Sequence, residues 1–351
     1  MKRILVNGYM QENLGDDLFF KILFDRYKDV IWTMNTYDKE YNKIYKEYKF
    51  VKIKNRIIKK LKLENEAYYK KFDAIIYIGG SIFIESSNWK NQYMERETLI
   101  KKFEGKKIFF IGSNFGPFHT EEYYRKYKDI FNKCTDICFR DNYSFNLFNK
   151  EISNCRVAPD IVFQLKNQKK EKNRKTLGIS LIDLKSREKL CLYHDKYVNK
   201  IIEIVYRFLK EDYDIYFFAY CKKEKDMSVI NEIIDKIEEK EDKIRVIEYD
   251  GDLDKFLSYF SSMELIIGTR FHACILSQVF GQGLYPIIYS EKTYNVLKDI
   301  NLDSHYTYIQ DIEDLDIEDV IDSIKDNKIH DRNIFKESEK QFEILDKYIL
   351  G

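Results

Sequence analysis

Glycine and proline are scarce in this chain, at 13 and 3 of 351 residues. An average globular chain carries roughly 7% glycine and 5% proline, so collagen-like, proline-rich and Gly/Ser-linker architectures are excluded. Net charge is nearly absent as well: 60 Lys+Arg stand against 59 Asp+Glu, for a formal total of +1. No global basic excess exists to condense on nucleic acid or anionic lipid, so nucleic acid is not an expected partner and any charged ligand must be held locally. No apolar run approaches the ~18 residues that span a bilayer, and the opening MKRILVNGYM holds too few apolar positions for a secretory leader. A cytoplasmic protein is the expectation. Cysteine supplies no framework either. Of the six, only Cys134 and Cys138 are close, and C-x3-C without a second Cys/His pair is poor zinc spacing, so reduced core thiols are expected.

What the chain does contain is globular: 44% hydrophobic, 34% charged, with 28 Tyr and 25 Phe whose main place is the core. Its length suits about two domains. Near-continuous apolar runs of strand length read as buried parallel strands at 3–6, 30–34, 74–78, 107–111, 137–139 and 157–163. Amphipathic stretches separate them, the clearest at 17–27, with Asn13 or Asp16 available as its N-cap. Residues 166–176, centred on KNQKKEKNRK, break the rhythm and read as a charged linker. Beyond them the alternation resumes, with strands at 177–181, 215–220, 244–249, 265–267 and 285–289 and helices at 198–209 and 227–237. Two successive series of this kind predict an α/β protein of two Rossmann-like domains, 1–165 and 177–312, facing a central cleft. The stretch 313–351 is expected to form terminal helices that pack back across them.

The few glycines and prolines cluster at the ends of these strands, where open α/β sheets bind ligands. The loop GYMQENLGDD joins the first strand to the first helix. It brings Asn13, Gly15 and the carboxylate of Asp16 to a helix start, either as a ligand site with a candidate base or as a capping turn with two solvated acids. Gly79 and Gly80 in IGGSIF, and Ser113 and Asn114 in IGSNFGPF, follow two more strands, but neither loop matches a dinucleotide or Walker fingerprint. Arg140 and Asp141 end a strand that reads as buried, so they pair with each other or Arg140 points into the cleft. In LIIGTRFHACILSQVFG a buried strand ends at Gly268, and Thr269, Arg270 and His272 meet a helix start. There a guanidinium, backbone donors and the helix dipole suit a small dianion, with an imidazole available to give a proton. Tyr289 and Lys292 close the next strand, and Lys292 adds a second positive charge.

Taken in order, N-x-G-D (Asn13, Gly15, Asp16), Gly79-Gly80, G-S-x-x-G-P (Gly112, Ser113, Gly116, Pro117), R-D-x-x-S (Arg140, Asp141, Ser144), P-D (Pro159, Asp160), R-x-H (Arg270, His272) and Y-x-x-K (Tyr289, Lys292) resemble the polysaccharide pyruvyl transferases from about residue 1 to residue 295. Ser81 stands where a third glycine often follows the pair. The resemblance implies a glycosyltransferase-B-like fold with its active site between the domains. It also implies transfer of pyruvate from phosphoenolpyruvate to a sugar of a cell-surface polysaccharide or its lipid-linked precursor, as a ketal. Such a reaction needs cations for phosphate and carboxylate, an acid, and a base. Arg270 is assigned to the phosphate, Arg140 or Lys292 to the carboxylate, His272 as acid and Asp16 as base. On this assignment Arg270→Ala should lose turnover with the fold intact. No cofactor or metal is required beyond the donor itself. A lipid-linked acceptor would be met at the inner face of the plasma membrane, although the balanced charge identifies no patch for that contact. A nucleotide-sugar glycosyltransferase and a non-catalytic glycan-binding relative are the alternatives.

Overall fold

The computed structural model describes residues 1–60, 64–166, 172–237 and 242–351. The chain divides into two compact units. The first comprises Met1–Met10, Asp16–Gln164 and Asn333–Gly351, and the second Gln11–Gly15 and Leu165–Arg332.

The first unit is built on seven strands: β1 (Arg3–Asn7), β2 (Ile31–Met34), β3 (Val51–Ile53), β4 (Ala74–Ile78), β5 (Lys107–Ser113), β6 (Asp136–Phe139) and β7 (Cys155–Val157). All pair in parallel, in the order β3-β2-β1-β4-β5-β6-β7. Chain order reverses between β1 and β4, which makes their carboxyl ends the switch point where ligands sit in open α/β sheets. β4 is buried along its whole length, as its unbroken AIIYI run requires when helices cover both faces. Its neighbours bury a dense aromatic cluster including Phe83, Phe110, Tyr127 and Phe131. The C-terminal stretch belongs to this unit. Gln341 donates from Nε2 to the carbonyls of Ala158 at 2.6 Å and Phe139 at 3.1 Å, while its Oε1 accepts from the Gly112 amide at 3.0 Å.

The second unit holds β8 (Thr176–Ser180), β9 (Asp214–Ala219), β10 (Ile244–Glu248), β11 (Leu265–Gly268), β12 (Gly283–Ile288) and β13 (Thr307–Tyr308). They too are all parallel, in the order β10-β9-β8-β11-β12-β13, with the switch point between β8 and β11. The helix His194–Lys210 lays Tyr197, Val198, Ile201, Ile204, Val205 and Phe208 on this core. The i, i+3, i+4, i+7 spacing that marks it in the sequence is that buried stripe.

Some boundaries differ from expectation. The run 157–163 is not one strand: β7 covers Cys155–Val157, and after Pro159 the chain turns into the short 3-10 helix Ile161–Gln164, where the Asp160 carboxylate accepts from the Val162 amide at 2.9 Å. Residues 313–332 lie in the second unit, with the helix Ile317–Ile324, and only Asn333–Gly351 belongs to the first. The centre of the expected linker, 167–171, lies outside the described residues. Among the cysteines, Cys134, Cys138, Cys221 and Cys274 are buried, Cys155 is half-buried and Cys191 is exposed. No described helix is long and apolar enough to cross a membrane.

Candidate active site

At the carboxyl edge of the second sheet, the Thr269 amide donates to the Ser180 carbonyl at 2.9 Å, extending the β8–β11 ladder by one residue. The Thr269 hydroxyl lies 2.8 Å from that of Tyr197 and is fully buried, so it braces the strand end. Arg270 follows as the extended N-cap of the helix Phe271–Val279. The residue is 7% exposed, and its guanidinium is no free anion clamp: Nη1 reaches Glu224 at 2.5 Å, Nε reaches Asp226 at 3.1 Å, and Nη2 is bonded to the other Asp226 oxygen.

Those two carboxylates are aimed by the chain that follows β9. Lys225 adopts a left-handed conformation (φ 61°) between them, a turn uncommon for a residue with a side chain, and Asp226 opens the helix Asp226–Lys236. Asp226 is fully buried and also accepts from the amides of Tyr220 at 2.9 Å and Cys221 at 3.1 Å. Burial raises the Asp226 pKa above the ordinary range despite Arg270, whereas for Glu224 burial pushes up but Arg270, Arg187 and the Asn13 hydrogen bond together outweigh it and lower the pKa. Glu224 further binds Arg187 at 3.3 Å and the Asn13 side-chain amide at 3.2 Å.

Around this knot stand the remaining charges. The Arg187 guanidinium lies 5.1 Å and the Lys292 ammonium 5.7 Å from the centre of the Tyr289 ring. Burial alone would raise the Tyr289 phenol, but Lys292, Arg187 and Arg270 together hold it below its usual pKa. Three cations thus converge on one phenol at the end of β12, with Glu224 the opposing charge.

The segment Gln11–Gly15 completes this unit. Asn13 bridges to Cys221, the Leu14 amide donates to the Tyr220 carbonyl at 3.1 Å, and Asn13 caps the helix Leu14–Arg26 by accepting from the Gly15 amide at 3.0 Å. Asn13, not Asp16, is therefore the N-cap. A Cβ at Gly15 would fall 1.7 Å from Nδ1 of the half-buried His272, so only glycine lets this helix start pack on the imidazole.

The motif residues of the first unit make a separate network. Arg140, 3% exposed, pairs with the fully buried Asp160 at 2.9 Å and donates to the Asn114 side chain at 2.7 Å. Its partner Asp160 is one that the sequence reading did not offer, and Asp141 caps the helix Asn142–Phe148 by accepting from the Ser144 amide at 2.7 Å. A Cβ at Gly80 would sit 2.4 Å from Arg140 Nη1, and the Ser113 hydroxyl donates to the Gly79 carbonyl at 2.9 Å. Gly79 itself has φ +147°, and a Cβ there would lie 3.5 Å from an Asp16 carboxylate oxygen. The Gly-Gly, G-S-x-x-G-P, R-D-x-x-S and P-D motifs thus knit the ends of β4, β5 and β6 to the turn after β7.

Sequence reasoning located Arg270, His272, Tyr289 and Lys292, and the structure brings Arg270, Tyr289 and Lys292 to one strand-end cluster. It missed Arg187, Glu224 and Asp226. The last two lie in the run CKKEKD, which reads as a solvated charge patch; their one signal is that they follow a buried strand as Arg270 does. A further group, His194, Asp195 and Glu232, places potential metal-ligating atoms within 4.8 Å of one another, but Glu232 already pairs with Lys185 at 2.7 Å and Lys236 at 3.1 Å.

Two doubly wound, all-parallel units define a glycosyltransferase-B-like fold. Solved structures that share it include S. aureus MnaA with UDP (TM-score 0.64, 13% identity, covering 100% of this chain and 97% of that one) and Anabaena HepE with UDP-glucose (TM-score 0.62, 10% identity, covering 100% and 98%). Within that fold, the polysaccharide pyruvyl transferase family model matches residues 13–291, and the chain belongs to this family. The amylovoran biosynthesis protein AmsJ of Erwinia amylovora is 24% identical over 281 residues, which are 74% of this chain and 66% of that protein.

Proposed function

We propose that this protein transfers the pyruvyl group of phosphoenolpyruvate to a sugar of a cell-surface polysaccharide, or to its lipid-linked precursor, and closes a cyclic ketal. The observation that carries the reading is the convergence of Arg187, Arg270 and Lys292 on Tyr289 at the carboxyl edge of the second sheet, beside the R-x-H turn. A donor with phosphate and carboxylate groups needs several cations held in place before it arrives, because preorganised charge acts without reorganisation during the reaction.

The roles follow from the contacts. Arg187 and Lys292 are assigned to the donor's phosphate and carboxylate. Arg270, committed to Asp226 and Glu224, is a positioning residue that holds Glu224 and, through it, Arg187. His272 delivers a proton to the methylene carbon of the enolpyruvyl group, and a sugar hydroxyl bonds to the adjacent carbon. Inorganic phosphate then leaves from that carbon, a second hydroxyl of the same sugar takes its place, and both hydroxyl protons depart. Asp16, next in the chain to Gly15, is the assigned base. This course uses no cofactor and no metal.

The test is incubation with phosphoenolpyruvate and a panel of lipid- and nucleotide-linked saccharides. Phosphate release matched by a new ketal methyl resonance is the expected result. Transfer of the sugar from the nucleotide, with phosphoenolpyruvate untouched, would replace this reading by a glycosyltransferase.

A further inference from the structure

The total charge of +1 conceals a strong local excess in the first unit. Among the described residues of 52–71, seven basic side chains stand against only Glu64 and Glu66. They gather around three tyrosines. Lys54, 6% exposed, lies 5.1 Å from the Tyr37 ring centre and 5.8 Å from that of Tyr69; Lys59 lies 4.8 Å from Tyr37, Lys71 3.6 Å from Tyr68, and Lys102 4.7 Å from Tyr69. Lys106 adds its ammonium at the Tyr69 carbonyl, 2.9 Å away.

Lys54 has a carboxylate partner, Glu64 at 2.6 Å. Lys52, Lys59, Lys60, Lys70 and Lys71 make no ion pair with a described residue. The crowding is felt: burial and then Lys102, Lys59 and Lys71 press Lys54 down to about 8, and Lys52 and Arg3 add to the burial that lowers Lys71 against the pull of Glu64. Beside these charges the short helix Arg56–Lys60 exposes Ile57 at 61%.

We propose that this face, formed by Lys52, Lys59, Lys60, Lys70 and the exposed Ile57 around Tyr37 and Tyr68, docks the protein on an anionic lipid bilayer. Clustered lysines meet the negative surface of a leaflet, one apolar side chain enters the headgroup region, and tyrosines with wet and dry ends suit the boundary. Single-stranded nucleic acid fits less well. Its bases need open aromatic faces for stacking, and here the rings of Tyr37 and Tyr68 are covered by Lys59 and Lys71. The inference stands apart from the pyruvyl-transfer reading, and its failure would leave phosphoenolpyruvate binding where it was.

The experiment is co-sedimentation of the full chain with phosphatidylcholine vesicles, with and without phosphatidylglycerol, at low and high salt. Binding is expected to the anionic vesicles alone and to fade as salt screens the charges. Each lysine near such a surface contributes about fivefold, so the quadruple variant Lys52→Gln/Lys59→Gln/Lys60→Gln/Lys70→Gln should bind on the order of 10² to 10³ times more weakly. All four side chains are exposed, and an unchanged melting temperature shows that the fold survives. Ile57→Asp should weaken binding independently. Absence of binding to anionic vesicles, equal binding by the quadruple variant, or binding of an oligonucleotide with the vesicles ignored would each overturn the proposal. So would release of the protein from vesicles by soluble glycerol phosphate, which would mark a single-headgroup pocket.

Discussion

Arg270→Ala should destabilise the protein as well as lower its activity, contrary to the expectation from sequence that the fold would be untouched. The guanidinium is the counter-ion of two carboxylates, one of them, Asp226, fully buried. Removing one partner of a buried ion pair typically costs about 3–5 kcal/mol, because the other charge is left without compensation. Here Glu224 keeps Arg187 and Asn13, and Asp226 keeps two backbone amides, which places the estimate toward the lower end, about 3 kcal/mol. Asp226 can also escape by taking up a proton. Its pKa is already raised by burial and would rise further without Arg270, so the penalty should shrink as pH falls through the carboxylate range. The assay is urea unfolding followed by far-UV circular dichroism and by tryptophan fluorescence. Trp32 and Trp89 both lie in the first unit, so fluorescence follows that unit while dichroism follows both. The loss should be concentrated in the component that fluorescence does not see, and Arg270→Ala/Asp226→Asn should recover more than about 1 kcal/mol of it. A single variant within about 0.5 kcal/mol of wild type at neutral pH would refute the reasoning.

Gly15→Ala would place a methyl group 1.7 Å from His272 Nδ1, so the imidazole must shift by more than about 1 Å, and transfer measured by phosphate release should fall on the order of 10²-fold. Gly105→Ala is the contrast: its φ of +77° strains alanine but no atom lies within 4 Å, so melting should drop modestly with activity unchanged. His272→Gln should abolish most turnover while phosphoenolpyruvate still stabilises the protein; a loss confined to melting temperature would make the imidazole structural. Glu232 is held at about 2 by Lys185, with His194 and Lys236 adding to the effect. Because its folded pKa is depressed, its stabilisation is whole above the ordinary 4.5 and drains away as pH falls toward 2, so Glu232→Gln should flatten that part of the stability–pH curve in acid titration.

The strands of both sheets were legible because burial on two faces demands unbroken apolar runs, as in AIIYI of β4 and LIIG of β11. β3 escaped because an edge strand of three residues, VKI, has neither the length nor the composition to signal itself, and β13 spans only two. The position of Arg270 and His272 was readable from a buried strand ending in glycine. The state of Arg270 was not, since its partners Glu224 and Asp226 are brought to it by pairing of β8 with both β9 and β11, which no local pattern encodes. Arg140 shows the same limit: its partner Asp160 is twenty residues away, beyond an intervening helix and strand.

The most direct test of the central claim is calorimetric titration of the wild-type chain and Lys292→Gln with phosphoenolpyruvate and, separately, with UDP. Binding of phosphoenolpyruvate that weakens at least tenfold in the variant, with UDP silent, is the predicted result. Binding of UDP with phosphoenolpyruvate silent, or equal phosphoenolpyruvate binding by both proteins, would contradict the placing of the donor beside Tyr289 and Lys292.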